Sequence, residues 1–113
     1  MTKAKPFGMN EQQLANLPTA FRADLFQGQV ALVSGAGSGL GKAIATLYGR
    51  LGAKLVICGR DAEKLNRTEA FLRGLGVEVM AQAMTIRDPE QVAALFALAR
   101  KTWGGIDILV NNA

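Results

Sequence analysis

Short apolar runs alternate along the chain with longer segments in which apolar residues recur every three or four positions. The runs predict strands at Val30–Ser34, Lys54–Cys58, Val77–Met84 and Ile106–Val110. The segments between them predict helices over Lys42–Leu51, from Asp61 to about Arg73 and from Asp88 to Trp103. This alternation predicts an α/β fold, a doubly wound parallel sheet with helices on both faces and the strand order 3-2-1-4.

Two of the predicted strands have the character of sheet edges. Glu78 and Gln82 place polar positions in the third strand, which predicts a less buried location. The fourth strand is apolar at Ile108–Val110, and the predicted order leaves it as an open edge. Because an exposed apolar edge promotes aggregation, we expect the chain to be the N-terminal half of a larger domain.

Residues 1–27 precede the alternating segments and are predicted to form an N-terminal extension. Four apolar residues in it recur at spacings of three and four, namely Leu14, Leu17, Phe21 and Leu25. This spacing predicts a short helix or a lid that packs on the rest of the chain, residues 28–113.

Histidine is absent, and the only cysteine is Cys58. These two facts exclude Ser-His-Asp and Cys-His catalysis, imidazole metal sites and disulfides within this chain, and we predict no metal site. Cys58 ends an apolar run, so we expect a buried strand residue rather than a nucleophile. Trp103 lies on the apolar face of its helix and is expected to pack in the core.

The formal net charge is +4, but the basic residues are spread along the chain and are not interleaved with aromatic ones. We therefore expect a solvated, mildly basic surface and no nucleic-acid partner. No apolar run reaches the roughly 18 residues that a membrane span requires, so no membrane partner is expected. No secretory signal is recognisable, and the expected location is cytoplasmic.

A glycine-rich turn joins the first predicted strand to the first predicted helix. It reads Ser34-Gly35-Ala36-Gly37-Ser38-Gly39-Leu40-Gly41. Glycines let a backbone approach a pyrophosphate, and a helix N-terminus offers unpaired N–H groups, so the turn is a predicted phosphate site. A glycine-rich turn without a ligand is the alternative. The spacing matches neither Gly-x-Gly-x-x-Gly nor a nucleoside-triphosphate loop, which ends in Gly-Lys-Ser/Thr.

The residue that contacts the adenosine ribose is expected about 20 residues farther on, at the end of the second strand. An acidic residue there favours NAD, but Gly59 and Arg60 occupy this place. Arginine can bind a 2′-phosphate through two hydrogen bonds, and Ser38 can donate a further one. Asp61 is predicted to cap the following helix instead. These residues predict NADP(H) rather than NAD(H), with a solvated loop arginine as the alternative for Arg60.

With Asn111-Asn112-Ala113 after the fourth strand, the chain resembles the short-chain dehydrogenase/reductase family. That family carries Thr-Gly-x-x-x-Gly-x-Gly after its first strand and Asn-Asn-Ala-Gly after its fourth. The resemblance covers Phe26 to Ala113 and implies a Rossmann dinucleotide-binding portion over residues 28–113. The cofactor-binding residues predicted from the motifs and the resemblance together are Gly35, Gly37, Ser38, Gly39, Leu40, Gly41, Arg60, Thr85, Ile86, Asn112 and Ala113.

The resemblance implies a role for several of these positions. Backbone N–H groups from Ser38 to Leu40 would face the pyrophosphate, and Asn112 and Ala113 would run beside the ribose. The family often has an aspartate that accepts from the adenine amino group, where this chain has Thr85. That contact is expected to be weaker or altered, while a backbone contact from Ile86 to adenine is retained.

Within the family, Phe26–Ala31 and Ile57–Arg60 are most similar to NADPH-dependent 2,4-dienoyl-CoA and trans-2-enoyl-CoA reductases. The resemblance implies hydride transfer to a small carbonyl or enoyl substrate, acyl-CoA among the candidates, and a homotetramer. The family's catalytic Ser, Asn and Tyr-x-x-x-Lys are expected beyond Ala113. The only tyrosine, Tyr48, is followed four residues later by Gly52 rather than lysine, so we assign no catalytic residue to this chain.

Two alternatives belong to other classes of function. A nucleotide-binding module or truncated remnant ending at Ala113 would hold the cofactor without turning it over. An S-adenosylmethionine methyltransferase would share the fold class, but the glycine spacing and Arg60 argue against it, since adenosylmethionine carries no phosphate.

Overall fold

A computed structural model describes residues 9–112 of the chain. Its strands are Val30–Ser34 (β1), Lys54–Gly59 (β2), Val79–Ala83 (β3) and Ile108–Val110 (β4). Its helices are Glu11–Asn16 (α1), Gly39–Arg50 (α2), Ala62–Gly74 (α3) and Pro89–Trp103 (α4). The predicted alternation of strand and helix is confirmed from β1 to β4.

The strands form one parallel sheet in the order β3-β2-β1-β4, as predicted. Val33 of β1 lies between Ile57 of β2 and Val110 of β4, which sets the register at the carboxyl ends of the strands. Within the described part of the chain β4 pairs only with β1, and Leu109 is 61% exposed. The predicted open apolar edge is therefore present.

Three predicted boundaries were wrong by two or three residues. The third strand begins at Val79 rather than Val77, because the N–H of Val77 instead closes the end of α3 by donating to the carbonyl of Leu72 (3.1 Å). The fourth begins at Ile108, since Asp107 uses its carboxylate to accept from the N–H of Val30 (2.8 Å). Helix α2 begins at Gly39 rather than Lys42, so the last two glycines of the turn belong to its first turn.

The sheet buries a hydrophobic cluster on each face, because successive residues of a strand point to opposite sides. On one face, Ala31 and Val33 of β1 pack with residues of α2 and α3 such as Ala45 and Leu72. On the other face the cluster contains Val30, Leu32, Val56, Cys58, Met84, Leu95 and Ala99. Trp103 packs against this second cluster, as predicted.

Local capping groups begin two of the helices where the sequence predicts them. The Asp61 carboxylate accepts from the N–H of Lys64 (3.1 Å), and that of Asp88 accepts from the N–H of Glu90 (3.0 Å). These bonds satisfy donors that have no partner within a helix, and they fix where α3 and α4 start.

The extension forms the predicted short helix, α1, but this helix ends at Asn16, before three of the four apolar residues. Leu14 is buried against the body, but Leu17, Phe21 and Leu25 are exposed, so the predicted apolar stripe was wrong beyond α1. The physical reason is Pro18, since a residue before proline avoids helical dihedrals, and Leu17 is extended. The segment is nevertheless held on α2, because Arg50 donates to the carbonyls of Leu14 (3.0 Å) and Leu17 (2.6 Å).

Cys58 is 1% exposed in β2, which confirms the predicted buried strand residue. Burial raises the pKa of the Cys58 thiol, because desolvation penalises the thiolate. The native thiol is therefore mostly protonated at neutral pH.

Replacing Leu72 by alanine tests the cluster between the sheet and α3. Leu72 is fully buried, so Leu72→Ala removes apolar contacts and leaves a cavity that lowers the free energy of unfolding by about 2–5 kcal/mol. Leu75→Ala is the matched control, because Leu75 is 38% exposed, and it should cost less than about 1 kcal/mol. Urea denaturation measures both, and equal losses would contradict this account of the core.

The reactivity of Cys58 tests its burial and raised pKa. At pH 8 the native thiol should react with an aromatic disulfide reagent more than about tenfold slower than the same protein in denaturant, since less thiolate is present and only 1% of the residue is exposed. The native rate should rise only at more alkaline pH. Absorbance of the released thiolate measures both rates, and equal rates would place the thiol at the surface.

Candidate cofactor-binding site

A cleft of about 480 Å³ opens at the carboxyl ends of β1, β2 and β3. Open parallel sheets bind ligands beyond the carboxyl ends of their strands. The described residues that line the cleft are Gly35, Gly37, Ser38, Cys58, Gly59, Arg60, Asp61, Lys64, Met84, Thr85, Ile86, Arg87 and Asn112.

The glycine turn is packed too closely for side chains at two of its positions. A Cβ atom at Gly41 would overlap the carbonyl oxygen of Gly35 and lie 2.7 Å from Nδ2 of Asn112. Gly35 has a φ of 65°, and a Cβ there would lie 2.9 Å from the Asn112 carbonyl oxygen. Glycine at these positions lets the start of α2 lie directly against the end of β1.

The same turn presents unpaired backbone donors. The N–H groups of Ser38, Gly39 and Leu40 have no acceptor among residues 9–112. Ser38 occupies the position before the first helical residue, and its hydroxyl does not cap the helix. Free donors and the partial positive charge of a helix N-terminus together attract an anion.

Ser34 connects the two sequence motifs. Its buried hydroxyl accepts from the N–H of Asn112 (2.9 Å) and lies within donating distance of the Asn111 side-chain oxygen (3.2 Å) and the Val110 carbonyl (3.4 Å). This contact brings Asn112 beside Gly35 and into the cleft wall. The sequence contained both motifs but no signal that a serine hydroxyl joins them.

The structure brings together seven of the predicted site residues, which all line the cleft: Gly35, Gly37, Ser38, Arg60, Thr85, Ile86 and Asn112. Gly39, Leu40 and Gly41 belong to the first turn of α2 and are not part of the cleft wall. Ala113 lies outside the described residues.

The cleft carries more positive charge than the sequence predicts. Lys64 and Arg87 line it together with Arg60, and Asp61 is the only acidic residue among the described lining residues. Sequence reasoning missed Lys64 and Arg87. For Lys64 a signal existed, since a helix that is capped by Asp61 places Lys64 in its first turn, next to Arg60.

Thr85 and Ile86 line the cleft just beyond the carboxyl end of β3. The hydroxyl of Thr85 accepts from the N–H of Arg87 (3.2 Å). The backbone N–H of Thr85 donates to the side-chain oxygen of Gln91 (3.1 Å). The Thr85 hydroxyl keeps its hydrogen for a further acceptor. Ile86 is 40% exposed and offers an apolar surface.

Among residues 9–112 no group of three or more Cys, Asp or Glu residues is arranged to hold a metal ion. None of the helices in that range is both long enough and apolar enough to cross a bilayer.

Comparison with known proteins gives consistent matches. The sequence model of the short chain dehydrogenase family matches residues 29–113. A granaticin polyketide synthase putative ketoacyl reductase from Streptomyces violaceoruber is 48% identical over 84 residues, which are 74% of this chain and 31% of the relative. The chain spans about a third of the length of the curated relatives it matches.

Several solved structures share the fold, and two of them hold a nicotinamide cofactor. A short chain dehydrogenase/reductase from Burkholderia phymatum in complex with NAD has a TM-score of 0.73 and 39% identity, covering 75% of this chain and 30% of that one. The L-sorbose reductase of Gluconobacter frateurii, complexed with NADPH and L-sorbose, has a TM-score of 0.74 and 35% identity, covering 81% of this chain and 35% of that one.

These matches agree with the motif resemblance, although none of the relatives described here is named as an enoyl-CoA reductase. The family model spans both the glycine turn and the Asn-Asn-Ala segment. The chain therefore belongs to the short-chain dehydrogenase/reductase family.

Proposed function

We propose that this chain is the cofactor-binding part of an NADP(H)-dependent oxidoreductase that transfers hydride to a small carbonyl or enoyl substrate. Family membership supports oxidoreductase chemistry with a nicotinamide cofactor, since solved relatives hold NAD or NADPH.

The observation that carries the cofactor choice is the set of cationic side chains in the cleft. Arg60, Lys64 and Arg87 line it, against one carboxylate from Asp61. That carboxylate already accepts from the N–H of Lys64 (3.1 Å) and is oriented by the cap. A ribose 2′-hydroxyl needs an acceptor, whereas a 2′-phosphate needs donors and positive charge, so the cleft suits the phosphate better.

The remaining residues fit the other parts of the cofactor. The unpaired N–H groups of Ser38 to Leu40 would hold the pyrophosphate, and Ile86 would contact the adenine ring. Asn112, which the Ser34 hydroxyl holds at the end of β4, would lie beside a ribose. When bound, the nicotinamide supplies or accepts the hydride.

The role of this chain is therefore binding and orientation. Its described residues bind phosphate and adenosine, and no residue of the chain is assigned to proton transfer. Relatives are about three times longer than the matched portion, and we infer that the groups that protonate the substrate lie in the remaining part of the protein.

Reversing the charge at Arg60 tests the cofactor choice. Arg60→Asp removes a donor and adds a charge that repels a 2′-phosphate, so NADPH affinity should fall about tenfold or more, with NADH affinity changing much less. Titration calorimetry with each cofactor measures the ratio.

Arg67→Asp is the control for this test. Arg67 is exposed on α3 and does not line the cleft, so the same change of net charge there should leave the affinity ratio within about twofold. An unchanged ratio in Arg60→Asp, or equal changes in both variants, would contradict the assignment of Arg60.

Turnover tests the reaction class. The whole natural protein, incubated with NADPH and a panel of ketones, aldehydes and enoyl thioesters, should oxidise the cofactor with at least one of them, as followed by loss of absorbance at the reduced nicotinamide band. Binding of NADPH without oxidation across the panel would favour a nucleotide-binding module. Adenosylmethionine binding without NADPH binding would favour a methyltransferase.

A further inference from the structure

Thr68 of α3 contacts the glycine turn. Its side chain is fully buried, and Oγ1 lies 3.3 Å from the carbonyl oxygen of Gly37, which is 31 residues earlier in the chain. The same hydroxyl lies 3.2 Å from the carbonyl oxygen of Lys64, one helical turn back. Because a hydroxyl carries a single hydrogen, it donates to one of these two oxygens at a time or shares the hydrogen between them.

The contact with Lys64 is ordinary for a threonine within a helix, and Thr46 of α2 shows the ordinary case. Thr46 is also buried, and its hydroxyl donates to the carbonyl of Lys42 (2.8 Å), four residues earlier. Among the described residues the Thr46 hydroxyl makes no hydrogen bond to another element. The hydrogen bond to Gly37 is therefore an extra contact that Thr68 makes and Thr46 does not.

The turn and α3 approach closely at this point because residue 37 is glycine. A Cβ atom at Gly37 would lie 3.1 Å from the Cβ of Lys64 and 3.5 Å from the N atom of Leu65. The first of these distances is shorter than ordinary van der Waals contact. The absence of a side chain at residue 37 thus lets the Thr68 hydroxyl reach the Gly37 carbonyl.

The orientation of this carbonyl determines the direction of the next N–H group. The peptide bond between Gly37 and Ser38 is planar and trans, so its C=O and N–H point in opposite directions. With the Gly37 oxygen held toward α3 by Thr68, the N–H of Ser38 points away from that helix. This N–H has no acceptor among residues 9–112, and Ser38 lines the cleft.

We propose that Thr68 is a positioning residue for the phosphate-binding turn, holding the Gly37–Ser38 peptide so that the Ser38 N–H is available to the diphosphate of a bound nucleotide. The proposal rests on the proposed function for the identity of that ligand. Thr68 acts through the backbone and does not itself line the cleft. It also joins the turn to the helix whose first turn carries Lys64.

The experiment compares Thr68→Val, Thr68→Ser and Thr46→Val in the whole natural protein. Valine keeps the size and branching of threonine and removes the hydroxyl, serine retains the hydroxyl, and Thr46→Val removes a buried helical hydroxyl that makes no bond to the turn. The probes are NADPH, ADP and adenosine 2′-monophosphate, which carries the 2′-phosphate but lacks the diphosphate. Titration calorimetry gives the dissociation constants, and thermal denaturation reports the folded state.

Thr68→Val should weaken ADP and NADPH by about three- to tenfold, the effect of one neutral hydrogen bond. Adenosine 2′-monophosphate should change by less than about twofold, and Thr68→Ser and Thr46→Val should bind all three probes as the wild type does. A general structural role for Thr68 would instead weaken the binding of all three probes to the same extent.

Retained ADP affinity in a folded Thr68→Val protein would overturn the proposal, as would equal losses for all three probes. Thr68→Ala, which suits a helix, is measured with the same probes, so the test stands if the valine variant does not fold. Failure of the wild type to bind NADPH, NADH or ADP would overturn the proposed function itself. That outcome is distinct from wild-type binding that Thr68→Val leaves unchanged.

Discussion

The close contact between the first turn of α2 and the end of β1 is the constraint on which the cleft depends. A Cβ atom at Gly41 would overlap the Gly35 carbonyl oxygen, so the helix can start here only if residue 41 is glycine. This contact directs the N-terminus of α2 toward the carboxyl ends of the strands. The N–H groups that a helix start cannot pair are thereby concentrated where a parallel sheet binds its ligand.

Two buried hydroxyls fix the segments that flank this contact. Ser34 joins the end of β1 to Asn112 at the end of β4, and Thr68 joins α3 to the carbonyl of Gly37. Each hydroxyl bonds to a backbone group that has no partner in a strand ladder or a helix. Backbone polar groups away from water usually require such a hydrogen-bond partner. The turn is thus attached to the sheet at one side and to α3 at the other, and a change in either would alter the donors that it presents.

The cationic side chains of the cleft attract an anion mainly at short range. The cleft is open to solvent, so the attraction between Arg60, Lys64 or Arg87 and an anion is screened unless the groups touch. The proposed recognition of a phosphate there would depend on direct hydrogen bonds, for which a guanidinium supplies paired donors. The neighbouring carboxylate of Asp61 accepts a hydrogen bond from the N–H of Lys64 and thereby caps α3. This bond to a backbone donor also lessens the repulsion between the carboxylate and a bound anion.

Much of the fold could be predicted from the sequence because its causes are local. Apolar runs and helical spacing identify the strands and main helices, the handedness of parallel crossovers limits the strand order, and Asp61 and Asp88 mark helix starts by capping them. The glycine turn and Arg60 were likewise identifiable, since the chemistry of phosphate binding depends on residue types at short spacings. The helix predicted from apolar spacing was wrong where a single residue prevents helical dihedrals, as Pro18 does at Leu17.

The sequence by itself therefore determined the class of fold, the position of the glycine turn at the end of the first strand and the basic residue at the end of the second strand. Only the tertiary structure decided which distant groups complete the site. Ser34 meets Asn112 across 78 residues, Thr68 meets Gly37 across 31, and Arg87 and Arg60 line the same cleft. These contacts depend on how close the packed elements lie in space, and the spacing of residues along the chain carries no information about that distance.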